Sequence, residues 1–256
     1  MRGVDEIDLA HENALLERAS PEERLAYAFE RYGTKLLFTS SFGAGSGVLL
    51  HLWSRVAGKL PVVFIDTGFH FDETLRYRDE IVEQLGLTLL VVRPRSSRPA
   101  FVAEYGADIQ RTNPDLCCAL NKIDPIAPLK ADAEAWISGL RRDQSRDRAN
   151  VPILLAADGE PLRVHPIATL SASDVEAYMR AHSVPEHPLR SQGFRSIGCA
   201  PCTRAIGEGE EERAGRWDWS EKTECGLHGR ERREGATANA LARTLPLLGR
   251  PDRRVS

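Results

Sequence analysis

The sequence predicts an α/β protein, a doubly wound and mostly parallel sheet with helices on both faces, followed by a flexible C-terminal segment. Three observations carry that expectation. Strand-length apolar runs, such as Val62-Val63-Phe64-Ile65 and Leu89-Leu90-Val91-Val92, alternate with charged amphipathic stretches at βαβ spacing. The run Lys35–Thr39 ends in a glycine-rich turn and Val62–Ile65 in an Asp-Thr-Gly turn, where open α/β sheets bind ligands. From about Pro185 onward Pro, Gly, Arg and Glu become frequent and apolar periodicity fades. The 256 residues suffice for one large domain, and no internal repeat or long linker divides them. The expected organisation is a nucleotide-binding domain over 1–206 and a mobile segment over 207–256.

In chain order, the first thirty residues read as helix, with Pro21 after Ser20 marking a start and Leu25, Ala28, Phe29 and Tyr32 on one face. The strand Lys35–Thr39 runs into Ser40-Ser41-Phe42-Gly43-Ala44-Gly45-Ser46-Gly47, and an apolar helix follows from Val48. The buried strand Val62–Ile65, the turn Asp66-Thr67-Gly68, a helix from Asp72 to Leu85 and the strand Thr88–Val92 come next. Further strands are expected at Trp136–Leu140, Pro152–Leu155 and Arg163–Ile167, and a helix capped by Ser171 ends near His182. Beyond Cys225 lie seven Arg and three acidic residues; this reads as a solvated tail, with Ala236–Leu248 able to form a short helix.

Composition narrows the function classes. A hydrophobic fraction of 42% with 28% charged residues excludes wholesale disorder, and a net charge of −3 gives no global reason to bind nucleic acid. The apolar runs are too short to cross a bilayer, and the acidic start lacks the apolar region of a secretory leader, so a soluble cytoplasmic protein is expected.

Three features carry chemistry. The loop after the first strand has the strand–glycine turn–helix arrangement that presents backbone N–H groups to an anion, though it matches neither the Walker loop nor the dinucleotide fingerprint. Arg141, Arg142, Arg146 and Arg148 follow another expected strand and suit bidentate phosphate or sulfate recognition, or form a solvated loop partly neutralised by Asp143 and Asp147. The cysteines form a tandem pair, Cys117-Cys118, a second pair, Cys199-Ala200-Pro201-Cys202, and Cys225 left over. The paired four suit zinc, an iron–sulfur cluster or no metal at all; adjacent ligands are awkward for a zinc knuckle. The second pair superficially resembles a thioredoxin-type motif, but no strand end and long helix flank it. Cys225, near His228 and followed by Gly226, reads as an exposed reactive thiol or an uninvolved one.

Taken together, Ser41-Phe42-Gly43-Ala44, Asp66-Thr67-Gly68, Thr112–Cys118, Gly139–Ser145, Ser196–Thr203 and Glu224-Cys225-Gly226-Leu227-His228 resemble the assimilatory adenylylsulfate and phosphoadenylylsulfate reductases, from about Leu36 to Gly229. The cysteine pairs are similar to those of the cluster-bearing branch, the adenylylsulfate (APS) reductases. That resemblance implies an adenine-nucleotide hydrolase-like fold and a [4Fe-4S] cluster on Cys117, Cys118, Cys199 and Cys202. It implies nucleotide binding by Ser41, Gly43, Ala44, Asp66, Thr67 and Gly68, with Lys122, Arg148, Arg213, Arg216 and His228 facing the anionic substrate. Cys225 is implied as the nucleophile that forms an S-sulfocysteine, discharged by a separate thioredoxin or glutaredoxin-like donor. Relatives are commonly homo-oligomers. Departures are Gly45-Ser46 for an acidic pair, Ala168–Ser171 for a Trp-containing segment and Glu186-His187 for a Tyr-Asn-like pair. The competing readings are an ATP-using adenylating or tRNA-thiolating enzyme with zinc on Cys199 and Cys202, and a metal-stapled module whose basic tail contacts nucleic acid.

Overall fold

The computed structural model describes residues 8–227, so His228, the Arg-rich extension and the candidate helix at 236–248 lie outside the described residues. Two helices, α1 (Leu9–Leu16) and α2 (Pro21–Tyr32), make up the expected helical N-terminus, the second starting at Pro21 as expected. The break falls at Ser20: its hydroxyl accepts from Glu23 N at 3.2 Å, and the Glu23 carboxylate accepts from Ser20 N at 2.6 Å. This capping box, with Pro21 at the first helical position, restarts the helix. Then come β1 (Leu36–Thr39), α3 (Gly47–Val56), β2 (Val62–Ile65), α4 (Asp72–Leu85) and β3 (Leu89–Val92). Gly86 ends α4 in the left-handed region at φ +61°.

Between β3 and the next strand the apolar pattern has no clear period, and the chain is a run of short helices. They are α5 (Arg98–Tyr105), α6 (Ile109–Thr112), α7 (Pro114–Cys118), a π-helical turn over Ala119–Ile123 and α8 (Asp124–Asp132). The strands β4 (Ala135–Ile137), β5 (Leu154–Leu155) and β6 (Leu162–Val164) follow, and then α9 (Ala172–Ala181). The expected strand through Leu140 ends at Ile137, which frees Ser138–Leu140 to line a cleft.

The strands form one sheet in the order β3-β2-β1-β4-β6-β5, parallel throughout except for β5, which runs antiparallel to β6. The strand order reverses at β1, between β2 and β4, and such a switch point leaves a crevice at the strands' C-terminal ends. Period-two alternation sorts the side chains. Leu36, Phe38, Val62 and Phe64 enter the main core with Leu25, Val48, Trp53 and Val175 of the flanking helices. Leu37, Val63, Ile65 and Trp136 face the other way, onto Ile126 of α8. Both faces of β1 and β2 are thereby buried, as a parallel sheet requires, whereas β3 at the edge is only partly covered.

Candidate active site

The crevice is a cleft with a cavity volume of about 190 Å³, and Ser41, Gly43 and Ala44 of the β1–α3 loop line it. The loop is shaped by Phe42, which takes φ +49° and is fully buried edge-on against Phe64, with ring centroids 5.6 Å apart. A bulky residue in that region is strained by roughly 1–3 kcal/mol, a cost tolerated where it sets a functional loop. The Ser46 hydroxyl donates to Gly43 O at 2.7 Å and closes the turn. A Cβ on Gly43 would lie 3.0 Å from Ile197 O, so the loop lies hard against the Ser196–Gly198 segment on the opposite wall.

Of the second turn, Asp66, Thr67 and Gly68 are not part of this lining; Ile65 and His70 on either side of them are. Asp66 accepts from Gly68 N at 3.1 Å and from Arg93 Nε at 3.2 Å. Thr67 points into a second, smaller cavity, with its hydroxyl 3.3 Å from Cys199 Sγ.

Cys117, Cys118, Cys199 and Cys202 all line that second cavity, together with Asn121 and Lys122. Burial pushes the Cys117 thiol up to about 12 and Cys202 up to about 11, and the neighbouring sulfurs add to both shifts. Burial raises Cys118 as well. At Cys199 burial is outweighed by Lys122, the Thr67 hydroxyl and Arg216, and its thiol is held below the ordinary value. Asn121 Nδ2 donates to Cys117 O at 3.0 Å and lies 3.8 Å from Cys117 Sγ, a second polar group directed at a sulfur. Among the described residues no three His, Cys, Asp or Glu side chains are placed to hold a single metal ion. Four cysteine sulfurs, three buried and one half-buried, line this one cavity. The donor set therefore fits an iron–sulfur cluster.

The cleft itself is cationic although the chain is net acidic. Lys122, Arg141, Arg148, Arg195, Arg213 and Arg216 line it, against only Glu212 and Glu224 among the described acidic residues. Lys122 borders both cavities; burial works against its charge, but the sulfurs of Cys199, Cys118 and Cys225 hold it above the ordinary lysine value. Burial and the neighbouring Arg148 lower the Arg213 guanidinium to about 10, with Glu224 acting in the other direction. Arg216 donates from Nε to Cys202 O at 3.1 Å and stacks on Trp217, 4.4 Å from the ring centroid.

The segment after residue 206 is brought to this cleft by three anchors. Thr203 bridges to Arg216, Trp217 is buried at φ +49°, and the Lys222 ammonium pairs with Asp115 beside the tandem cysteines. Cys225, half-buried, lines the cleft with the loop residues and the arginines.

The structure thus brings together Ser41, Gly43, Ala44, Lys122, Arg148, Arg213, Arg216 and Cys225, and sets Thr67 with the four paired cysteines. It adds Ser138, His70 and Arg195, which stand outside the sequence candidates, and it places Arg141 of the arginine run in the lining. The Ser138 hydroxyl and His70 Nδ1 are buried without a protein partner, leaving hydrogen-bonding capacity for a ligand or water. Burial lowers His70 to about 4, so its ring is neutral at pH 7, with Nε2 3.0 Å from Ile65 O. Arg141 lies in the stretch that the sequence marks by its position after a strand, Ser138 falls inside the strand expected over 136–140, and His70 and Arg195 carry no signal.

A glycine-loop cleft at the switch point of a doubly wound sheet, lined with arginines and one unpaired thiol, defines a nucleotide-anion enzyme on an α/β fold. The phosphoadenosine phosphosulfate reductase domain matches residues 35–205, and the chain belongs to that family. Adenosine 5′-phosphosulfate reductase of Streptomyces coelicolor is 43% identical over 215 residues, covering 84% of this chain and 90% of that one. Adenosine 5′-phosphosulfate reductase 2 of Bacillus subtilis is 39% identical, covering 80% and 87%. Phosphoadenosine 5′-phosphosulfate reductase of Gloeobacter violaceus is 38% identical, covering 88% and 95%. Among solved structures, phosphoadenylyl-sulfate reductase from Candida auris superposes with a TM-score of 0.68 at 24% identity, covering 80% of this chain and all of that one. Candida glabrata FMN adenylyltransferase reaches a TM-score of 0.52 at 15% identity over 94% of this chain and shares the fold alone.

Proposed function

We propose that the protein is a cytoplasmic oxidoreductase that reduces adenosine 5′-phosphosulfate to sulfite and AMP with electrons from a thioredoxin-type dithiol. The 3′-phosphorylated nucleotide is the alternative substrate. One observation carries the reading: Cys225, the thiol outside the paired four, lines the same cleft as the β1–α3 loop and Lys122, Arg148, Arg213 and Arg216. Relatives named for either nucleotide support it.

The Cys225 thiolate attacks the sulfate sulfur; an S–S bond forms, the S–O bond to AMP breaks, and its electron pair leaves on the phosphate. A donor thiolate then attacks Cys225 Sγ. The new disulfide forms as the bond to the sulfonate breaks, its electron pair departs on sulfite, and the donor's second thiol resolves the mixed disulfide. Net, one dithiol is oxidised by two electrons and sulfur is reduced by two. Both steps move negative charge, so Lys122 and the cleft arginines act as preorganised stabilisers, each such contact worth ~3 kcal/mol in the barrier. Ser41, Gly43 and Ala44 hold the nucleotide, with Asp66 and Gly68 shaping the neighbouring turn. Cys117, Cys118, Cys199 and Cys202 would hold a [4Fe-4S] cluster, which when bound supplies a staple between α7 and the Cys199–Cys202 turn and a charged neighbour for Lys122. The stretch from residue 207 to 227 moves so that Cys225 meets first the nucleotide and then the donor.

Cys225→Ser should bind nucleotide and yet form no protein-bound sulfite from sulfur-labelled substrate; a labelled adduct on that variant refutes the assignment. Anaerobically purified protein should carry about four iron and four sulfide per chain, and stoichiometric zinc without sulfide would overturn the cofactor.

A further inference from the structure

Glu224 stands next to the proposed nucleophile, and its carboxylate has an unexpected partner. Arg148 grips it bidentately, with Nε on Oε1 and Nη2 on Oε2 at 2.7 Å. Arg213 adds a third bond to Oε2 at 3.0 Å while donating to Thr223 O at 2.7 Å. All three side chains are largely withdrawn from solvent, with 16% of Glu224, 8% of Arg148 and 12% of Arg213 exposed. The other carboxylate of the cleft, Glu212, is engaged elsewhere, by Arg141 and by Gln144 Nε2 at 3.0 Å. Glu224 is therefore the anion that neutralises the Arg148–Arg213 pair.

A carboxylate and a sulfate or phosphate present the same pair of oxygens to a guanidinium fork. The fork cannot hold both at once with full geometry. The segment carrying Glu224 is also tightly seated: a Cβ on Gly226 would lie 2.5 Å from Ile123 Cδ1, and Leu227 packs against the sheet face that holds Ile126. Displacing the carboxylate removes the bonds that tie Glu224 to the fork and so loosens the chain at Cys225, the next residue.

We propose that Glu224 is a surrogate anion and positioning residue: it occupies the arginine fork until the substrate's oxyanion displaces it, and its release repositions Cys225. The inference rests on the reductase reading for the identity of that oxyanion. Glu224 opposes binding and holds the thiol segment down in the resting protein, so removing its charge strengthens nucleotide binding and frees the thiol.

Two measurements test this without turnover. In a Cys225→Ser background, which cannot react, adenosine 5′-phosphosulfate should bind several-fold more tightly when Glu224→Gln is added. In ligand-free protein with Cys225 intact, iodoacetamide should label the Cys225 peptide several-fold faster in Glu224→Gln than in wild type, as read by mass spectrometry. Glu224→Asp, which keeps the charge on a shorter arm, should lie between them in both assays. Binding in Glu224→Gln no tighter than in its parent, or labelling no faster than wild type, overturns the proposal. The labelling arm needs no substrate, so its failure leaves the reductase reading standing; absence of sulfite release from wild type would sink that reading alone.

Discussion

Gly198→Ala adds one methyl group and should cost activity far more than stability. A Cβ at residue 198 would lie 2.3 Å from Arg216 Nη2 and 2.6 Å from both Cζ and Nη1. Ordinary contacts are about 3.5 Å, so the guanidinium must retreat by roughly 1 Å. The far end of an arginine can make that move cheaply in packing terms. Its anchors suffer, however: the Nε bond to Cys202 O, now 3.1 Å, stretches past useful length, and the stacking 4.4 Å above Trp217 is lost or tilted. Together these are worth ~1–2 kcal/mol in the folded protein. A catalytic cation misplaced by about 1 Å loses on the order of 100-fold in rate. Sulfite release from adenosine 5′-phosphosulfate with reduced thioredoxin should therefore show kcat/KM down by 30- to 100-fold (about 2–3 kcal/mol), with Tm changed by only a few degrees. Gly207→Ala is the control, since a Cβ there comes no nearer than 3.5 Å to Glu210 Oε2 and the residue lies outside the cleft lining, and it should retain near wild-type kinetics. Wild-type kcat/KM in Gly198→Ala would refute the assignment of Arg216 to the anion, and loss of fold and activity together would refute the separation of the two effects.

Two predictions concern the scaffold. Arg24, fully buried, donates to Leu16 O at 2.7 Å, Pro166 O at 2.9 Å, Thr169 Oγ1 at 2.8 Å and Glu17 O at 3.1 Å, tying the helical N-terminus to the loop after β6. Arg24→Met strands those acceptors and should lower stability by ~3 kcal/mol in urea unfolding, with kcat per folded molecule unchanged; a change under 1 kcal/mol would contradict it. His165 is fully buried, with Nδ1 2.9 Å from Pro152 O, and burial lowers it to about 4 against an ordinary value of 6.5. Between those values the unfolded chain binds the proton and the folded one does not, so the contribution is complete above about pH 6.5 and is lost as pH falls toward 4. It amounts to ~3 kcal/mol over the window, so the urea midpoint should drop between pH 7 and pH 5; an unchanged midpoint would count against a neutral buried ring.

Much of the sheet was legible because parallel strands buried on both faces read as continuous apolar runs. Val62–Ile65 could hardly be anything else, and all six strands fall within or beside the expected runs. The region from Arg98 to Asp132 was opaque for the opposite reason. Its helices are four to nine residues long, interrupted by Pro114, Pro125 and Pro128, and they pack around cysteines instead of around a single apolar stripe. A π-helical turn at Ala119–Ile123, which ends one residue past Lys122, has no signature in the apolar pattern at all.

Side-chain chemistry was legible by type and not by direction. Arg141, Arg142, Arg146 and Arg148 look equivalent in sequence, yet Arg141 and Arg148 line the cleft. Arg142 turns outward to Glu17 and Val151 O, and Arg146 is exposed beside Glu211. The 3₁₀ turns over Arg142–Gln144 and Arg146–Arg148 make that division, and no periodicity announces them. The same holds for charge: a net −3 chain with an arginine-lined cleft has separated its signs in space, and composition averages over the separation. Backbone strain follows the function too. Among the described residues, the non-glycine positive φ values are at Phe42, Ser183 and Trp217, and the two aromatic ones flank the cleft, one under the glycine loop and one under Arg216. Both are fully or nearly fully buried, so the packing that compensates their strain also fixes two walls of the cleft.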